Sequence, residues 1–283
     1  HSEMTFWHTR PRDLLRVRGL PKKYRFLFLI KNVAILWGTV KPKKHPEWIK
    51  QIHLLRKNHP SLDIPAETEL LPQYVLSRIN ARISQQTKPT IVITGVGQHQ
   101  MWAAQYLDTP QRFISSGGLG VMGFEIPAAL GAQVGRPDCT VWSIAGDGGI
   151  QMTLQEFATL KQENIPVKIA LFNNGYLGMV RQWQELIHSG RYSESYTESL
   201  PDFVKLAESF GIVGLKAEKS SEVDNAIKEM IKIKKPVLLD MVVDQKENCF
   251  PMIPSGAAHN EILLGPEDKT TDETINEEGM VLV

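Results

Sequence analysis

Two polar stretches interrupt an otherwise apolar part of the chain: "AGDGG", Ala145–Gly149, and "FNNG", Phe172–Gly175. Asp147 offers a carboxylate and Asn174 an amide carbonyl, both hard oxygen donors. Mg²⁺ takes six oxygens, keeps several waters, and is commonly held by one or two protein groups with substrate phosphates completing the shell. Gly146, Gly148 and Gly149 let the backbone approach a ligand closely, and a helix opening beyond them would present free amides to an anion. The nearby "GVGQHQ", Gly95–Gln100, adds Gln98 and His99 as side-chain donors. The chemistry this set suits is capture of a metal-bound diphosphate. Alone, Gly-Asp-Gly is an ordinary tight turn and Asn-Asn an ordinary strand stop; their pairing across one unit of structure is what carries the expectation.

That pairing depends on the elements that hold the two stretches. "CTVWSIAGDGG" and "PVKIALFNN" read as buried strands, apolar nearly throughout, and the intervening "TLQEFATLKQENI" reads as a helix. Such a strand-helix-strand unit places the ends of two parallel strands on one edge of a sheet. "PTIVITG" and "PVLLDMVVD" read as further strands. Helices are expected in "HPEWIKQIHLLRKNH", with Trp48, Ile49, Ile52 and Leu55 on one face, and in "AETELLPQYVLSRINARI", with Pro72 near its first turn. Others follow from about Phe124, over "LGMVRQWQELIHSG", over "SLPDFVKLAESFG" with Ser199 as N-cap and Gly211 past its end, and over "SSEVDNAIKEMIKIKK". The alternation from about residue 85 to 245 predicts an α/β fold with a mostly parallel sheet and helices on both faces. Ligands in such folds bind at the carboxyl ends of the strands.

Composition sets the outer limits. At 283 residues, 42% hydrophobic and 22% charged, the chain can bury a real core as one or two domains. A net charge of +1 gives no global reason to expect nucleic acid or an anionic membrane as partner. Cys139 and Cys249 make neither a disulfide framework nor a metal-ligand spacing. Residues 1–45 are basic, with eleven Lys or Arg against Glu3 and Asp13, and remain unassigned; the segment after Gly265 reads as an acidic polar tail. "YRFLFLIKNVAILWGTV" is too short for a membrane span and is broken by Lys31 and Asn32, where about 20 apolar residues are needed. His8, His45, His53, His59, His188 and His259 show no ligand spacing.

The residues also carry a resemblance. "VGQHQMWAAQ", "SSGGLGVMGFEIPAALGA", "AGDGGIQMTLQEFATL", "NNGYLGMVRQWQEL" and "PMIPSGAAHNEIL" follow the order of the catalytic subunit of acetohydroxyacid synthase. The resemblance spans about residues 85–264, the thiamine-diphosphate-binding domain of that family, with 46–84 resembling a helical lead-in from its middle domain. It implies Mg²⁺ on Asp147, Asn174 and the backbone carbonyl of Tyr176. It implies diphosphate contacts from Gly97, Gln98, His99, Gly146, Gly148, Gly149 and Asn174. Met122 would wedge beneath the cofactor to bend it, with Gly120 bonding its pyrimidine, and Met179 and Trp183 would face the substrate. In the family this tryptophan favours 2-ketobutyrate over pyruvate, a one-methylene distinction worth about 1–3 kcal/mol. Periodicity alone makes Met179, Val180 and Trp183 the buried face of a helix. Ser255 resembles a position near the mouth of the site and has no nucleophile context.

The implied activity is condensation of 2-oxo acids, pyruvate or pyruvate with 2-ketobutyrate, in branched-chain amino-acid biosynthesis. The implied compartment is the cytoplasm, or a plastid in a photosynthetic eukaryote. The family also uses FAD in a middle domain, a glutamate from a neighbouring chain's pyrimidine-binding domain, and in places a regulatory small subunit. None of these 283 residues resembles the pyrimidine- or FAD-binding domain, so half of each active site is expected here, completed by a homodimer or a partner chain. Three alternatives stand: part of an acetohydroxyacid synthase, the diphosphate-binding subunit of a split thiamine-dependent 2-oxo-acid decarboxylase or oxidoreductase, or a non-catalytic module that keeps the fold. "GMVRQWQEL" and "PMIPSGAAHNEIL" favour the first over the second, and Asp147, Asn174, Gln98 and His99 speak against the third.

Overall fold

The computed structural model describes residues 45–58, 64, 69–108, 112–254 and 256–265. The chain divides into two compact units, 1–60 and 61–283. In the first, α1 (Pro46–Asn58) carries Trp48, Ile49 and Ile52 exposed. The anchor-like stretch within residues 24–40, the tail beyond Gly265, and Ser255 lie outside the described residues.

The second unit is built on six strands, all parallel, in the order β2-β1-β3-β4-β6-β5. They are β1 (Thr90–Thr94), β2 (Arg112–Ser115), β3 (Thr140–Gly146), β4 (Lys168–Asn173), β5 (Val213–Ala217) and β6 (Val237–Val242). Parallel strands must be covered on both faces, and alternate side chains here divide between two apolar layers. Val92, Trp142, Ile144, Ala170 and Leu239 pack against α2 (Pro72–Ile83), α3 (Gln98–Tyr106) and α9 (Ser220–Lys232). Ile93, Val141, Ile169, Leu171 and Leu238 pack against α4 (Glu125–Gly135), α5 (Asp147–Gln151), α6 (Glu156–Gln162) and α8 (Phe203–Ser209). Fully burying each Val, Ile or Leu among them contributes roughly 1.5–3 kcal/mol. Arg78 and Arg82 of α2 both reach Asp224 of α9, tying two helices on one face.

Strands ending at Gly146 and Asn173 are parallel neighbours, as expected, with Ala145 opposite Leu171 and Gly146 opposite Phe172. The helical connection between them differs from expectation. It is two pieces, α5 and α6, and α5 begins at Asp147 itself. Two further corrections follow. The N-cap of α8 is Asp202, whose side chain accepts from Lys205 N at 3.1 Å, so Ser199 does not cap it. β2 and β5, which the sequence reading did not pick out, are the two edges of the sheet.

Candidate active site

The direction of strand addition reverses between β1 and β3, the place where a parallel α/β sheet opens a crevice. After β1 the chain enters α3 on one face, and after β3 it enters α5 on the other. A cavity of about 230 Å³ lies between them, lined from the β1 end by Gly97, Gln98 and His99, from the β3 end by Gly146–Gly149, and from the β4 end by Asn174 and Tyr176–Val180. Met122 closes one side.

Asp147 joins the two strand ends directly. Its Oδ1 accepts from Gly148 N and its Oδ2 from Gly175 N, each at 2.7 Å, so the carboxylate is bonded to the residue beside Asn174. Burial pushes its pKa up to about 6 against the pull of these amides. A buried carboxylate held above its ordinary range is an incomplete arrangement that a cation would relieve. Asn174 Oδ1 accepts from Tyr176 N at 3.1 Å. The turn itself uses Gly175 at φ +69°, in the left-handed region, and is clamped by Leu177 N to Ser195 O and Thr197 N to Gly175 O. The Tyr176 carbonyl takes no part in either clamp.

The glycines are required by contact. A Cβ on Gly146 would stand 2.8 Å from the His99 ring, one on Gly148 2.7 Å from Leu177, and one on Gly149 2.9 Å from Glu125. His99 is buried, its pKa is lowered to about 4 by that burial, and its Nε2 has no hydrogen-bond partner. A neutral imidazole protonated at Nε2 would have an unpartnered N–H to donate to an anion such as diphosphate, close to the start of a helix. The residues present therefore suit both a hard cation and the diphosphate it would bridge. Among the described residues no group of three or more His, Cys, Asp or Glu could hold a metal by itself, in keeping with a site that a ligand's own oxygens complete.

Other expected site residues fall differently. Gln98 is not a free side-chain donor: its Nε2 is spent on Gln182 Oε1 and Glu247 O, both at 2.9 Å. Gly120, at φ +65°, and half-buried Trp183 are not among the residues lining the cavity, whereas Met122 and Met179 are. α7 (Gly178–Leu186) is inverted relative to an ordinary surface helix. Arg181 and Gln182 are 3% and 0% exposed while Val180 is 46% exposed, so Met179, Val180 and Trp183 do not form a buried face. Periodicity missed this because it assumes that the apolar side of a helix points inward.

Residues 95–241 match the family model described as "Thiamine pyrophosphate enzyme, C-terminal TPP binding domain". The chain is 43% identical over 224 residues to an acetolactate synthase of Mycobacterium leprae, covering 76% of this chain and 35% of that protein. It is 42% identical over 237 residues to the mitochondrial acetolactate synthase catalytic subunit of Saccharomyces cerevisiae, covering 82% and 34%. To the acetolactate synthase isozyme 2 large subunit of Escherichia coli it is 42% identical over 235 residues, covering 81% and 42%. The chain thus spans about a third of the length of most of these curated relatives. On the extent of the family match, the chain belongs to the thiamine diphosphate enzymes through their C-terminal cofactor-binding domain.

Proposed function

We propose that this chain is the diphosphate- and Mg²⁺-binding part of an acetolactate synthase, joining two pyruvates, or pyruvate and 2-ketobutyrate, with loss of CO₂. The observation that carries the reading is the Asp147 carboxylate bonded across two parallel strand ends, beside Asn174 and in the same cavity that His99 lines. Asp147, Asn174 and the Tyr176 carbonyl would hold the cation, and His99 with the amide of Gly149 would hold the diphosphate, the Gly148 amide being engaged by Asp147 Oδ1. When bound, thiamine diphosphate supplies the carbon nucleophile that makes decarboxylation of a 2-oxo acid accessible.

The chain's own residues bind, orient and exclude water. Met122 and Met179 give the cavity an apolar wall, suited to keeping water from the reacting carbon. Exposed apolar side chains support a covering partner: Leu119 and Val121, just before Met122 in the chain, are 92% and 49% exposed, and Val180 is exposed at the cavity itself. We assign that place to a pyrimidine-binding domain, from a second copy or from a partner chain. Trp183, one turn beyond Met179, would meet the side chain of the second 2-oxo acid once that partner is seated. FAD and a regulatory subunit, implied by the family, would act outside this cleft.

The test is Mg²⁺-dependent binding of thiamine diphosphate by calorimetry, followed by acetolactate formation when a pyrimidine-binding domain is added. Asp147→Ala is expected to abolish both. Undiminished binding in that variant would remove the site, and a product other than acetolactate would favour the split-enzyme alternative.

A further inference from the structure

We infer that Gln182 is a positioning residue for the cation: acting through Gln98 on the Asn174 nitrogen, it works with Tyr176 N on the oxygen to hold the end of the Asn174 amide that faces the metal. This rests on the assignment of Asn174 as a metal ligand. An amide side chain is nearly symmetric in shape, so its direction is set only by the partners it meets. Here the direction can be followed from backbone groups whose polarity is not in doubt. Cys249 N donates at 2.8 Å to Gln182, so that atom is Oε1; Gln182 Nε2 then donates to Cys249 O at 3.2 Å and Met252 Sδ at 3.1 Å. Gln98 places its nitrogen between Gln182 Oε1 and the carbonyl of Glu247, two acceptors, so its Oε1 must point the other way. There it meets Asn174 Nδ2 at 3.4 Å. The Asn174 oxygen is left to the opposite side, where it also accepts from Tyr176 N.

Three buried amides thus transmit one polarity from the segment after β6 to the end of β4. Gln182, Gln98 and Asn174 are 0%, 3% and 8% exposed, so water is poorly placed to substitute for a missing link. Arg181 secures the same segment through Lys246 O, Glu247 O and Asn248 Oδ1 at 2.8, 3.0 and 2.6 Å. This accounts for the inversion of α7, whose polar residues turn inward to hold the relay. Gly178 fits the same account. A Cβ there would stand 2.1 Å from Gln98 Oε1 and 2.8 Å from Asn174 Nδ2, inside the contact between them.

Outer-shell partners of metal ligands are commonly worth 10–100-fold in metal affinity. The test measures Mn²⁺ binding by electron paramagnetic resonance at saturating thiamine diphosphate, with melting curves for every variant. Gln182→Leu, which removes the relay from within, is expected to weaken Mn²⁺ about tenfold or more. Gly178→Ala leaves both glutamines intact and favours the helix, yet wedges the Gln98–Asn174 contact apart, and is expected to give a similar loss. Because both break one relay, the double variant should be little weaker than either single one. Wild-type Mn²⁺ affinity in folded Gln182→Leu, or in Gly178→Ala should Gln182→Leu not fold, would overturn the inference, as would additive losses. Asp147→Ala separates the two levels: if it abolishes Mn²⁺ binding while both relay variants bind normally, the metal site stands and the relay falls. If it too binds normally, both fall.

Discussion

Glu125 is fully buried, and its carboxyl packs where a Cβ on Gly95 or Gly149 would stand, beneath the Gly-rich turn. Neither oxygen has a hydrogen-bond partner of proper geometry; the amides of Glu125 and Gly123 pull only weakly toward the charged form. Burial pushes the pKa from 4.5 up to about 7. The folded state therefore favours the protonated acid. Its contribution is fully present below about pH 4.5 and is lost as pH rises through about 7, reaching about 3 kcal/mol. His99 slopes the opposite way: its pKa is lowered from 6.5 to about 4, so its contribution is present above 6.5 and lost as pH falls through 4. The two slopes oppose each other near pH 5–6, so wild type alone hides both. Glu125→Gln, which cannot ionise, is expected to melt above wild type at pH 8 and to lose that advantage below pH 4.5. A difference in melting temperature that does not change with pH would show that Glu125 carries no buried proton.

At the scale of elements, the start of α8 offers a direct comparison of two candidate caps. Asp202 accepts from Lys205 N and its pKa is lowered, chiefly by that amide bond. Asp202→Ala is expected to lower the midpoint of urea denaturation, and Ser199→Ala to leave it close to unchanged. The reverse order would restore Ser199 as the cap. Sequence spacing missed Asp202 because Pro201 marked an earlier first turn, while the helix begins only at Phe203. The same kind of reasoning separates what could be read from what could not. β1, β3, β4 and β6 are buried apolar runs, legible because both faces are covered. β2 and β5 sit at the edges, where exposure weakens the apolar signal: "RFIS" is largely exposed and "VGLKA" half-buried. Asp147 and Asn174 were legible as a pair because they end adjacent buried strands. Gln182 was not, because its role arises from Gln98 and from residues 247–249, which only the fold brings beside it.

At the scale of the whole molecule, the cavity offers little for acid-base chemistry. Among the described residues lining the cavity Asp147 is the one carboxylate, and both its oxygens are engaged at the proposed metal position. Glu125 lies beneath Gly149 without lining the cavity, and Glu156 begins α6 beyond it. Neither can serve the aminopyrimidine as an acid-base partner. Such assistance is typically worth about 10²–10⁴ in rate, and an uncovered apolar wall admits water as well. These 283 residues alone, with saturating thiamine diphosphate and Mg²⁺, are therefore expected to bind the cofactor and yet form no acetolactate from pyruvate. Exchange of the cofactor's reactive proton, followed by NMR, should stay near the rate in buffer and rise when a pyrimidine-binding domain is added. Acetolactate made by the chain alone would refute the reading that half of the active site is supplied by a partner. Exchange restored without product would instead place the remaining deficiency in the substrate contacts proposed for Met179 and Trp183.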